Sequence, residues 1–188
     1  MDIKRIILAV SGASGTVYAA ALVDALTGRE DVELHVIVSD AARRVLAVET
    51  DLPPDALERG AAASYSQDDI AAPPASGSWK HSGMIVCPCS MATMSAVATG
   101  FGHTLIHRAA DVCLKERRRL ILVPRETPFT TIHLQNMLTA TQAGAVVLPA
   151  SPGFYHRPET IKDLASQVAG KILDQLDIPH NLFKRWGD

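Results

Sequence analysis

The feature that most limits how this chain can fold is an alternation. A short apolar run rich in branched residues is followed by a small-residue turn, then by a helix-patterned stretch, and the unit recurs. Ile6 to Val10, within an apolar opening that spans Ile3 to Val10, is the first run. It leads through Ser11-Gly12-Ala13-Ser14-Gly15 into an alanine-rich stretch ending near Thr27-Gly28. Leu34 to Val38 forms a second strand, Ser39-Asp40 supplies an N-cap pair, and Ala41 to Glu49 a second helix. Met84 to Cys87 resumes the strand signature, Pro88 to Thr93 reads as a turn, and a helix follows to Thr99. Leu105 to Arg117 reads as helix, Leu120 to Val123 as strand, and Thr130 to Ala143 as a helix closed by Gly144. Ala145 to Leu148 is the last strand and Thr160 to Leu176 the last helix. Strands that are apolar throughout are buried on both faces, which is the property of parallel sheets covered by helices. Five of them predict a doubly wound, mostly parallel sheet in a three-layer α/β/α fold, flavodoxin-like or Rossmann-like.

With 188 residues, 47% of them hydrophobic, the chain has enough apolar material for one domain over 1–188. The alternation breaks only at 51–79, where Pro53, Pro54, Pro73, Pro74 and Gly77 predict an excursion loop with at most one short helix, and in the 178–188 tail. A net charge of -2 supplies no overall field to attract nucleic acid or an anionic membrane. Cys87, Cys89 and Cys113 make no CxxC pair and no even disulfide framework, so they read as reduced thiols. The amino terminus lacks the apolar core and cleavage site of a signal peptide, and no run is long enough to cross a bilayer. The expectation is a soluble cytoplasmic protein.

In an open parallel sheet, ligands bind outside the carboxyl ends of the strands. The residues there are Gly12 to Gly15, Ser39, Cys89 to Thr93, and Pro124 to Glu126. The first three groups are short, polar loops opening into helix amino termini, which present N–H groups and hydroxyls to a phosphate. The turn Gly12-Ala13-Ser14-Gly15 falls short of a GxGxxG fingerprint, and Ser39 could equally serve as a plain helix cap. Arg125 can hold an anion through paired hydrogen bonds and Glu126 can move a proton, or the two can form an internal pair.

Lys115-Glu116-Arg117-Arg118-Arg119 reads mainly as a solvated helix end. Arg108 and Lys115 lie two helical turns apart and could address one anion. Tyr155, after the last strand, could face a ligand or pack beneath its loop. The histidines show no metal-ligand spacing and there is no DDxxD element, so neither a metal site nor a magnesium-bridged pyrophosphate is expected.

Taken together, Ser11 to Gly15, Glu49-Thr50-Asp51, Pro88 to Thr93, Arg108 to Val112, Leu114 to Arg118, Pro124 to Pro128, Gly153-Phe154-Tyr155-His156 and Arg185-Trp186 closely resemble the UbiX-type flavin prenyltransferases over nearly the whole chain. The resemblance implies transfer of dimethylallyl from dimethylallyl monophosphate to N5 and C6 of reduced FMN, giving prenylated FMN for UbiD-type decarboxylases. It implies that Gly12, Ala13, Ser14, Ser39, Ser90, Met91, Ala92, Thr93 and Arg125 bind FMN, and that Tyr155 and Lys171 hold the prenyl phosphate, with Arg108, Lys115 and Arg185 as further members of that pocket. Glu126 is the expected proton-transfer group, assisted by Ser14 and Glu49, with Trp186 as an aromatic face toward a prenyl cation. Lys171 stands where many relatives carry arginine, which removes a bidentate fork. The resemblance also implies sites between subunits of a homo-oligomer, a dodecamer among the candidates. The alternatives are an FMN-dependent cysteine-type decarboxylase, whose PxMNxxMW block is not present here, and a non-catalytic flavin carrier, which is usually strongly acidic.

Overall fold

The structure, a computed structural model, describes residues 3–187. Six parallel strands form one sheet: β1 (Lys4–Val10), β2 (Val32–Val38), β3 (Ala63–Ser66), β4 (Gly83–Cys89), β5 (Arg119–Pro124) and β6 (Val146–Val147), in the order β3-β2-β1-β4-β5-β6. This is the doubly wound order of the Rossmann type, and the direction of winding reverses between β1 and β4. The helices are α1 (Thr16–Leu26), α2 (Asp40–Glu49), α3 (Met91–Thr99), α4 (Leu105–Lys115), α5 (Thr131–Gln142) and α6 (Ile161–Gln175).

Because side chains alternate across a strand, β1 contributes to two separate cores. Ile6, Leu8 and Val10 pack with Leu22 and Leu26 of α1, Leu46 of α2 and Ile172 of α6. Ile7 and Ala9 pack on the opposite face with Met94 of α3, Ile106 and Ala110 of α4, and Ala140 of α5. Central strands buried on both faces account for the unbroken apolar runs in the sequence.

Two expectations are corrected. The 51–79 excursion contains a sixth strand, β3, which pairs with β2 from His35↔Ala63 to Val38↔Ser66. Its sequence, Ala-Ser-Tyr-Ser, is small and polar because it lies at the sheet edge, where apolar composition is not required. The short helix there is a single 3-10 turn at Pro73–Ala75. Helix α4 stops at Lys115 instead of Arg117, since Arg117 turns to a φ of 56°. Other boundaries move by one to three residues, the largest shift being at α3, which starts at Met91 instead of after Thr93.

Candidate active site

The site is assembled at the carboxyl ends of β1, β4 and β5. Ser11, buried directly after β1, ties two of them together. Its backbone N–H and its hydroxyl both donate to the Pro88 carbonyl, at 3.2 and 3.0 Å, and Oγ accepts from the Ser90 N–H at 2.8 Å. Gly12 follows because a Cβ there would lie 2.4 Å from the Ala41 Cβ, so the turn can approach α2 only without a side chain.

Glu49, at the end of α2, reaches the amino terminus of α1. Its carboxylate accepts from the N–H groups of Gly15 (2.9 Å) and Thr16 (3.1 Å), from the Thr16 hydroxyl (3.0 Å) and from the Ser14 side chain. Desolvation pushes this carboxyl up, but the hydrogen bonds from Ser14, Gly15 and Thr16 prevail and hold it below the usual range. The Ala13 N–H is spent on the Ser11 carbonyl. An internal carboxylate therefore already occupies the positive end of α1.

The open helix end is that of α3. Ser90 caps it, accepting from the Thr93 N–H at 3.2 Å and donating to Thr93 Oγ1 at 3.1 Å, while the amides of Met91 and Ala92 have no acceptor among the described residues. The Met91 side chain is buried in the core, so its contribution at this edge is backbone. Ser39 is a buried cap of α2, accepting from the Ala42 N–H at 3.0 Å. Arg125 leaves β5 and donates Nε to the Ser14 carbonyl at 3.1 Å; its terminal nitrogens have no partner among the described residues. Arg125 also acts on Tyr18, whose phenol is raised mainly by burial, further by Cys87, with Arg125 opposing. Glu126 is exposed and accepts from its neighbour's N–H, Thr127, at 2.9 Å. It does not pair with Arg125.

A second group adjoins this edge. The chain leaving β6 bonds back to β5 through the Ala150 N–H and the Pro124 carbonyl at 3.1 Å. Beyond it, a cleft of about 380 Å3 is lined by Leu148, Pro149, Ser151, Tyr155, Gln167 and Lys171, among others. Tyr155 meets Trp186 edge-on at 5.6 Å. Asp174 gathers three side chains: Arg185 at 2.7 Å, His180 at 3.1 Å and Lys171 at 3.7 Å. The Arg185 hydrogen bond holds the Asp174 carboxyl low, against burial and with help from His180.

Within one chain the structure brings together Gly12, Ala13, Ser14, Glu49, Ser90 and Arg125, and beside them Tyr155, Lys171, Arg185 and Trp186. Arg108 and Lys115 do not join either group. Arg108 bonds Asp111 at 2.6 Å and the Ala75 carbonyl at 3.2 Å, and Lys115 pairs with Glu116 at the amino end of the sheet, four residues before β5. Each cation has an acid of its own nearby in the sequence, so the shared helix face does not converge on one anion. Sequence reasoning missed Ser11, Tyr18, Gln167 and Asp174. The strand-end position marks Ser11, and the Lys171–Asp174 spacing marks Asp174; no local signal marks Tyr18 or Gln167.

The flavoprotein family model matches residues 1–180. The flavin prenyltransferase UbiX of Pseudomonas aeruginosa is 51% identical, with 98% of this chain and 95% of that protein covered. The crystal structure of a dodecameric FMN-dependent UbiX-like decarboxylase from Escherichia coli O157:H7 superimposes with a TM-score of 0.94 at 40% identity, over 98% of this chain and 100% of that one. That of AnUbiX in complex with FMN and dimethylallyl pyrophosphate gives 0.92 at 43% identity, over 99% and 98%.

Proposed function

The chain belongs to the flavoprotein family and, within it, to the UbiX-type flavin prenyltransferases; from that premise we propose that it joins dimethylallyl, supplied as the monophosphate, to N5 and C6 of reduced FMN. Reduced FMN supplies the nucleophilic positions, and closure of a fourth ring gives prenylated FMN, which serves UbiD-type decarboxylases. The observation that carries this reading is adjacency. A phosphate-suited strand-end cluster and a cleft bearing tyrosine and lysine share one edge of the sheet, joined through Ala150 and Pro124.

The residues present fit a flavin phosphate. The unpaired amides at the start of α3 and the terminal nitrogens of Arg125 are the donors this edge offers to an anion. Gly12, Ala13, Ser14, Ser39 and Thr93 shape the surrounding edge. Tyr155 and Lys171 of the second cleft, with Arg185 of the adjoining cavity that Tyr155 also borders, stabilise the phosphate as the allylic C–O bond breaks and its electron pair moves onto the leaving oxygen. Trp186 presents its ring to the carbocation end of the donor. Glu126, exposed and with no cation against it among the described residues, transfers protons during ring closure: one is delivered to the prenyl double bond, the resulting cationic carbon bonds to C6, and the proton lost from C6 returns to the same group, so the closure is proton-neutral. Glu49, held as a carboxylate by four donors, orients the Ser14 hydroxyl and does not itself carry the proton.

Arg108 and Lys115 enter this scheme from a neighbouring copy in a homo-oligomer. The dodecameric E. coli relative supports such an assembly. The buried, free thiols Cys87, Cys89 and Cys113 support a cytoplasmic setting; no helix among the described residues is long and apolar enough to cross a membrane. Neither a cysteine decarboxylase nor a flavin carrier calls for the Tyr155 and Lys171 cleft.

The test is anaerobic incubation with reduced FMN and dimethylallyl monophosphate, without added magnesium, followed by mass spectrometry of the released flavin. A flavin heavier by one C5H8 unit is expected. Unmodified flavin from protein that has bound FMN would reject prenyl transfer.

A further inference from the structure

His156 has no part in the reaction as written, yet it is held in an unusual state. Both ring nitrogens are sequestered from solvent and neither has a hydrogen-bond partner, the only side-chain atoms in that condition among the described residues. A desolvated imidazole with no partner is destabilising, so a purely structural position would favour an apolar ring. The nearby carboxylate of Asp163 does not satisfy it; Asp163 Oδ2 is taken by the amides of Glu159 and Thr160, at 3.0 and 2.9 Å.

The surroundings of the ring point to an anion. His156 stands edge-on to Tyr155, with centroids 5.8 Å apart and planes at 76°. Tyr155, His156, Lys184, Arg185, Trp186 and Gly187 line a cavity of about 180 Å3, and Tyr155 also borders the cleft that holds Lys171. The loop carrying the ring is itself held away from its preferred conformation, since Arg157 adopts a φ of 54°, a left-handed value that a non-glycine residue keeps only when its surroundings impose it.

We propose that His156 is a hydrogen-bonding group for the phosphate of the prenyl donor, brought to it when the donor seats against Tyr155 and the short loop around residue 156 settles over it. The inference rests on the prenyl-transfer reading and adds a residue to its leaving-group end. As the allylic C–O bond breaks, its electron pair passes to the phosphate oxygen, and an imidazole N–H donates to the charge that gathers there. No proton needs to change hands.

The test separates this role from packing. His156→Phe keeps a planar ring against Tyr155 and removes the desolvated nitrogens, so it is expected to melt at or above the temperature of the unsubstituted protein and to bind FMN equally well. Its KM for dimethylallyl monophosphate should rise roughly tenfold or more, the scale of one lost charge-assisted hydrogen bond. His156→Gln, which retains a donor, should recover part of the loss. A phenylalanine variant with unchanged KM and kcat would overturn the proposal. A second readout needs no variant to fold and no turnover: isotope-labelled imidazole nitrogens of the full chain, titrated with dimethylallyl monophosphate, should show the His156 resonance shifting at saturation. An unmoved resonance would overturn the proposal even if prenyl transfer is established, and a shifted one would support it even if prenyl transfer fails.

Discussion

Arg125 is the cation at the strand ends whose terminal nitrogens are left for a ligand, and its effect should be large for one side chain. Arg125→Ala is expected to weaken FMN binding by about 1.5–3 kcal/mol, the range for hydrogen bonds to charged groups, measured by quenching of flavin fluorescence; unchanged affinity would remove it from the phosphate site. Glu126→Gln should keep FMN affinity and slow prenyl transfer, read in single-turnover assays, because the amide cannot accept the proton. Glu49 makes a different prediction. Its carboxyl is lower in the folded chain than in the unfolded one, so its stabilising effect is complete above the unfolded value of about 4.3 and is lost as pH falls through the lower folded value. Glu49→Gln should flatten the acid limb of urea midpoints measured across that window, and an identical limb would show that the α1 amides do not depend on the charge.

Among the elements, α5 is the one with its apolar residues turned outward. Of its residues only Ala140 is buried, while Leu134 and Leu138, four residues apart and so on one face, are 54% and 51% exposed. A helix of this kind needs cover, and in the homo-oligomer proposed above a second copy of the chain would supply it. Leu134→Lys combined with Leu138→Lys should reduce the assembly to smaller species in light scattering while circular dichroism stays the same; an unchanged mass would place the interface elsewhere. Apart from β3, the strands and the helices were legible in the sequence to within three residues, because β1, β2, β4 and β5 are largely apolar and the Ser39 cap and the helical periodicity mark the helices. Strand β3 was not, since an edge strand of alanine, serine and tyrosine owes its place to the β2 backbone beside it and not to its own composition.

At the scale of the whole molecule, the amino edge of the sheet carries a pH dependence of its own. His81, buried before β4, has its imidazole pushed down to about 4, chiefly by burial and then by Arg118, with the Gly83 carbonyl opposing. The unfolded chain therefore takes up a proton below about pH 6.5 that the folded one refuses until about 4, and stability should fall by a few kcal/mol across that interval. His81→Phe should remove this slope from urea midpoints measured between those limits, and persistence of the slope would assign it to other groups. The sequence by itself determined the elements other than β3, the layering and the edge at which a ligand must sit, since each follows from local periodicity, capping and the rule that parallel sheets bind at their carboxyl ends. Only the tertiary structure decided what those residues do there. Glu49 closes the start of α1 across 33 residues of chain, Ser11 joins β1 to the β4 end, Asp174 collects Arg185, His180 and Lys171, and His156 is buried without a partner. The first two depend on strand order and on close approach between segments far apart in the chain, and such a contact leaves no trace in the spacing of neighbouring residues; around Asp174, the fold of the tail is what returns His180 and Arg185 to α6.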